Sequence, residues 1–167
     1  IKVLIPNNYD PIKRSYGSSV NAYDEDGNLY TTPADGSWDG DWKRDSDGNL
    51  QKEWTDNPAW CYHDILSSNR FGLGDYIDSS SIDKWTLFSI AQYCDILVAD
   101  GQGGIEPRFS CNLILTSRTE AYKVINDMAS IFRAVNYYSA GTIYTSQDSP
   151  KATITQFTNA NVKDGDF

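Results

Sequence analysis

The stretch from Trp54 to Gly74, WTDNPAWCYHDILSSNRFGLG, constrains the fold more than any other part of this 167-residue chain. Asn57 offers a side-chain oxygen that can accept a hydrogen bond from a first-turn N–H, as an N-cap does. Pro58 then falls at the first helical position, where a missing N–H costs nothing. Cys61, Ile65 and Leu66 follow at helical spacing, and Gly72 and Gly74 supply a stop. The spacing predicts a helix over 58–68.

Two more helices are expected. Over about 80–97, Ser80 and Asp83 approximate a capping box. The apolar residues Ile82, Trp85, Leu87, Phe88, Ile90, Ala91, Cys94 and Leu97 spread around the circumference, the pattern of a largely buried helix. Over about 118–133, Ser117-Arg118-Thr119-Glu120 forms a capping box. Ala121, Val124, Ile125, Met128, Ile131 and Phe132 then keep i, i+3, i+4, i+7 spacing. Strands are expected at Ile1–Ile5, which Pro6 stops, and at Phe109–Leu115, where Phe109, Cys111, Leu113 and Leu115 alternate. AVNYYSAGTIYTSQD reads as a hairpin turning at Ala140-Gly141, and Thr153–Phe157 as a further strand. This order predicts an α+β fold, three helices packed on a small, mostly antiparallel sheet.

From Tyr9 to Glu53 the composition shifts to Gly, Ser, Asp, Asn and Tyr, too long a stretch for an idle loop in a compact domain. DEDGNL (24–29) recurs as DSDGNL (45–50), each centred on Asp-Gly, so the stretch is expected to be an arm carrying one or two tight hairpins. The chain thus divides into a strand and acidic, Trp-rich arm over 1–56 and an α+β unit over 57–167, together one compact body. The formal net charge is −9, and residues 24–56 hold ten acids against three bases. Such a surface argues against binding the phosphates of nucleic acids. No apolar run is long enough for a membrane-spanning helix, and no secretory leader is visible. Because the chain opens on Ile1, it is expected to be a piece of a longer protein.

Several residue sets invite chemistry. Asp24, Asp26 and Asn28, like Asp45, Asp47 and Asn49, occupy the first, third and fifth places of a calcium loop, yet Leu stands where the sixth-place Gly belongs. Asp-Gly turns explain the same residues more simply, and no metal is expected. Cys61, His63, Cys94 and Cys111 could be gathered into a zinc set, but no paired C-x-x-C spacing supports one; three buried free thiols and a partly exposed structural histidine are expected instead. Glu53 with Asp56 only loosely suggests a sugar-cleft pair. Gly101-Gln102-Gly103-Gly104 lacks the Lys-Ser/Thr of a phosphate loop. Neither catalytic residues nor a cofactor site are therefore expected. Exposed Trp and Tyr could form a carbohydrate or protein platform, but most of these rings are expected to pin down the arm.

Beyond the Trp54–Gly74 run, GSWDGDWK (36–43), DKWTLFSIAQYCD (83–95), DGQGGIEPRFSCNLIL (100–115), TSRTEAYKVINDMAS (116–130) and the closing FTNANVKDG stand in a definite order. In that order they resemble the tip attachment (host specificity) proteins of lambda-like tailed phages, over roughly residues 36–167. The segment at about 16–35 is longer than the family pattern, and the receptor-binding end of such proteins has no counterpart here. The resemblance implies a structural part of a phage or prophage tail tip, found in the virion and in the bacterial cytoplasm during assembly. It implies other tail-tip proteins as partners and a homotrimeric full-length protein, with a monomer allowed for the isolated segment. Residues 57–160 would be a domain decorating a ring of β-barrels. It carries over no catalytic residue. Trp38, Trp42, Trp54 and Trp60 are the anchors expected to join arm to helices. The alternative reading is a cell-wall glycan-binding or glycan-degrading module.

Overall fold

A computed structural model describes residues 2–17, 38–112, 114 and 121–150. The first helix, α1 (Pro58–Ser67), starts as expected: Asn57 holds an extended backbone and its side chain accepts from the Ala59 N–H. Its last turn closes differently from a simple glycine stop. Ser68 caps the helix in extended conformation, and the chain then folds back beneath it. The Leu73 N–H donates to Ile65 O at 2.9 Å, and the Gly72 and Gly74 N–H groups both donate to Ser68 O. These bonds satisfy carbonyls that a helix end leaves open. A Cβ on Gly72 would overlap the Ile65 and Ser68 carbonyl oxygens, so the glycine is there for close approach of two backbones.

Helix α2 spans Lys84–Asp95, shorter than the 80–97 expected. Asp83 is its N-cap, accepting from the Trp85 and Thr86 N–H groups. The preceding Ser79–Ser81 forms a 3₁₀ turn capped by Asp78, so Ser80 belongs to that turn rather than to a capping box. Helix α3 is described over Ala121–Ile131; the Ser117–Glu120 box lies outside the described residues.

The α+β class and its three helices stand, while the strands of the described residues form four separate antiparallel pairs rather than one continuous sheet. β1 (Lys2–Leu4) pairs with β4 (Lys52–Trp54), and β2 (Tyr9–Asp10) with β3 (Ser15–Tyr16). β5 (Leu97–Ala99) pairs with β6 (Ile105–Pro107), and β7 (Ala134–Ser139) with β8 (Thr142–Gln147). The last hairpin turns where expected, with Ala140 and Gly141 both at positive φ, as a two-residue turn of this type demands.

The strand expected through Phe109 and Cys111 is not one. The N–H groups of Arg108, Phe109 and Cys111 go instead to Ile96 O, Cys94 O and Asp56 O, tying this segment to the end of α2 and the start of α1. Leu113, Leu115 and Thr153–Phe157 lie outside the described residues.

The core is built around α1, which packs against α2, α3 and β1. Trp60, Tyr62 and Leu66 are wholly buried, and Tyr62 meets Phe132 edge-on at 5.8 Å. Cys61 and Ile65, which the spacing placed on the apolar stripe, are only half-buried, while His63 and Asp64 are buried. A helix covered on three sides buries residues that a one-faced stripe would leave wet.

Candidate functional site

Tryptophans from three places in the chain converge around Trp38, beside α1 and α2. Trp38 lies 5.1 Å from Trp42, 6.1 Å from Trp60 and 5.3 Å from both Trp85 and Phe88. Its indole N–H donates to Asp41 O, and Lys84 stands over the Trp38 and Trp85 rings. Trp42 closes the cluster against Trp60 at 6.0 Å and His63 at 4.6 Å. Aromatic edges and faces attract through their quadrupoles, in addition to the area they bury. Of the four tryptophans singled out from sequence, Trp38, Trp42 and Trp60 therefore meet. Trp54 does not: it stands on β4 opposite Lys2, 55% exposed. Trp85 takes part instead, and its i, i+3 spacing to Phe88 on α2 was the signal available for it.

A second junction is ionic. The β2–β3 turn is set by Asp10, whose Oδ1 accepts from the Ile12 and Lys13 N–H groups. It holds Arg14 at φ 52°, an uncommon conformation for a side-chain-bearing residue. From there the Arg14 guanidinium reaches Asp56 at 2.7 Å and Asp95 at 3.1 Å. Asp95 Oδ2 also accepts from the Tyr16 hydroxyl at 2.6 Å and from Asn57 Nδ2 at 2.8 Å, while Asn57 Nδ2 donates to Ala91 O as well. One carboxylate thus joins the arm, the start of α1 and the end of α2. Burial raises the Asp95 pKa, and the hydrogen bonds from Tyr16 and Asn57 with the Arg14 charge only partly oppose it. Burial by itself would lower that of Arg14, but its bond to Asp56 and the two carboxylate charges raise it overall. The sequence pattern held no sign of this network, whose members are separated by as many as 81 positions.

Beside the tryptophans lies an open groove of roughly 1100 Å³. Trp42, Trp85 and Tyr144 line it together with Lys52, Arg70, Lys84 and hydroxyl-bearing residues such as Ser79 and Ser80. Lys52 is paired at 2.8 Å with Asp64, and Lys84 donates to Gly40 O. His63 also lines it, only 3% exposed rather than partly exposed as expected. Burial, reinforced by the charges of Lys52 and Lys84, lowers its pKa to about 4, so the ring is neutral at ordinary pH.

The remaining candidates are committed elsewhere. Asp45 Oδ1 accepts from the Asp47 and Asn49 N–H groups, and Asp45 O accepts from the Gly48 N–H, in a tight turn beneath the Arg44–Leu50 bridge. Asp24, Asp26 and Asn28 lie outside the described residues. Glu53 pairs with Lys43 at 2.7 Å and Asp56 with Arg14, and neither faces the groove. Asp100 organises the 101–104 turn by accepting from the Gln102 and Gly104 N–H groups. Among the described residues no three His, Cys, Asp or Glu side chains gather as a metal site. None of the described helices is long and apolar enough to cross a membrane.

No protein-family model matches the chain. It is similar to tip attachment protein J of Escherichia phage SECphi27, 37% identical over 165 residues, and to tip attachment protein J of Escherichia phage SECphi4, 39% identical over 167 residues. In each case 99% of this chain is covered, and it spans 12% of the length of the relative.

Proposed function

We infer, from a chain that belongs to the tip attachment protein J family and spans 12% of the length of the relatives it matches, that its work is architectural. It is a structural segment of a bacteriophage tail tip, acting in host attachment as part of a longer protein and performing no reaction of its own. The observation that carries this reading is the double junction of arm and helices. A four-tryptophan cluster and the Arg14–Asp56–Asp95–Asn57 network join segments distant in sequence. In this reading Trp38, Trp42 and Trp60 are the anchors. The strand and arm over 1–56 and the α+β unit over 57–167 act as one piece. Other tail-tip proteins are its partners, three copies close the tip, and DNA passes through the assembly after attachment. Assembly takes place in the bacterial cytoplasm, and the finished protein resides in the virion.

The test places Trp60→Ala in the complete phage protein and scores tails by electron microscopy and plaque formation. Virions lacking finished tips, with parental levels of the other tail proteins, are expected. Normal tips and full infectivity from a variant whose isolated segment is unfolded would show that this segment does not hold tip geometry.

The groove favours one alternative, a glycan-binding module, because aromatic walls and hydroxyl and cationic side chains suit a saccharide. Titrating the chain with peptidoglycan fragments while following tryptophan fluorescence decides it. Saturable quenching lost in Trp85→Ala would favour the alternative, and an unchanged spectrum would remove it. A degrading version has less support, since the carboxylate lining the groove, Asp83, is engaged as the cap of α2.

A further inference from the structure

We propose that the groove beside the tryptophan cluster binds an acidic saccharide, a sugar chain carrying isolated carboxylate or phosphate groups, with Arg70 and Lys84 supplying the charge for its anionic groups and Trp85 a face for its ring. The proposal rests on the saccharide reading of the groove and deepens it by fixing the charge of the sugar; the architectural role does not depend on it. Lys52, Arg70 and Lys84 line the groove, and among the described residues Asp83 is the one carboxylate that does, in a chain whose formal net charge is −9. Two of the cations are not committed to a carboxylate. Among the described residues the exposed Arg70 guanidinium has neither an ion pair nor a hydrogen bond. Lys84 is held by Gly40 O, and Asp41, whose charge it feels, is paired with Arg44. By contrast, Lys52 is neutralised by Asp64, and Asp83 is occupied by the Trp85 and Thr86 N–H groups. The groove is therefore an electropositive recess on an acidic chain. A planar, forked guanidinium and a compact ammonium both suit carboxylate and phosphate oxygens.

The rest of the lining suits a sugar rather than a bare anion. Trp85 is half-exposed and Tyr144 partly so, and both offer ring surface to the apolar C–H side of a pyranose. The side chains of Ser68, Asn69 and Ser79 stand along the same groove without a hydrogen-bond partner among the described residues. His63, packed 4.6 Å from Trp42, is buried, and its Nδ1 has no partner among the described residues. A buried polar atom left unpaired costs stability, and a ligand hydroxyl reaching His63 removes that cost. A nucleic acid, charged at every nucleotide, is repelled by the acidic remainder of the surface. A sugar with isolated charges presents them only where the cations stand.

The test titrates the folded chain by calorimetry with matched probes. These are the neutral disaccharide of N-acetylglucosamine, the N-acetylglucosamine–N-acetylmuramic acid disaccharide, which adds a carboxylate, and the neutral disaccharide bearing an anomeric phosphate. Both acidic sugars should bind about tenfold tighter than the neutral one, the increment expected of a charge-assisted hydrogen bond. The tighter of the two identifies the anion, and the preference should shrink as salt is raised. Arg70→Ala should cut the preference without changing the melting temperature or the affinity for the neutral sugar, and Arg70→Ala with Lys84→Gln should abolish it. Trp85→Ala should weaken all three. Equal affinity for the three probes would overturn the acidic preference and leave the saccharide reading standing, whereas no binding of any would overturn both. Inorganic phosphate or a tetraglutamate peptide binding as tightly as the acidic sugars would overturn the proposal, because the sugar would then contribute nothing. A preference that survives the double substitution would overturn the placing of the site.

Discussion

Replacing Asn57 by alanine removes three hydrogen bonds at one wholly buried position: from Ala59 N–H to Oδ1, from Nδ2 to Ala91 O and from Nδ2 to Asp95 Oδ2. Loss of the cap costs about 1 kcal/mol. The bond to Ala91 O is worth about 1 kcal/mol and the one to the carboxylate about 2 kcal/mol, because each leaves a buried acceptor short of a donor. The total is about 4 kcal/mol, or a fall of roughly 2 M in the urea midpoint for a slope of about 2 kcal/mol/M. Equilibrium unfolding followed by far-ultraviolet dichroism and tryptophan fluorescence measures it. Asn57→Ser separates the contributions, since a serine hydroxyl can cap the helix but is too short to reach Asp95. It should recover about 1 kcal/mol and leave about 3 kcal/mol missing. A cost below about 1 kcal/mol for the alanine variant, or full recovery with serine, would refute the view that Asn57 ties α1 to α2.

Three further perturbations follow from the same packing. Trp60→Ala empties the centre of the aromatic cluster and should destabilise the chain by about 3–5 kcal/mol in the same assay, with Trp54→Ala within about 0.5 kcal/mol of the parent. Gly72→Ala puts a methyl group against the Ile65 and Ser68 carbonyls; a cost of about 1–3 kcal/mol is expected, and a neutral result would mean that the turn beneath α1 is readily rearranged. His63 makes stability depend on pH. Its folded pKa, about 4, lies below the ordinary 6.5, so the unfolded chain takes the proton first. Its contribution is complete above about pH 6.5 and is lost as pH falls towards 4, about 3 kcal/mol in all. The raised Asp95 acts in the opposite sense, losing stability as pH rises through its folded pKa. The measurement is therefore the difference between parent and His63→Gln melting curves across pH 4–7, where the variant should lack the acid-side loss.

Much of the local structure was legible because its causes are local. Asn57-Pro58 starts α1, Ala140-Gly141 turns the last hairpin, and the Asp45 side chain bonds backbone groups within four positions of itself. Misreadings came where backbone groups found distant partners. The alternation at Phe109 and Cys111 imitates a strand, yet their N–H groups go to Cys94 O and Asp56 O. Trp54 resembles the other tryptophans in composition, but the β1–β4 register turns it outward. His63 read as a partly exposed helix residue, yet it and the neighbouring Asp64 are both buried because elements cover α1 from several directions.

Sequence by itself determined the α+β class, where α1 begins, the tight turns, and a resemblance carried by motifs in fixed order. All of these rest on interactions spanning a few residues, or on the motifs themselves. Only the tertiary structure decided that Arg14, Asp56, Asn57 and Asp95 form one network and that Trp85 rather than Trp54 completes the aromatic cluster. The reason is geometric. A side chain's distant partners follow from which helix face lies against which segment, and that is settled by the packing of the whole core at once.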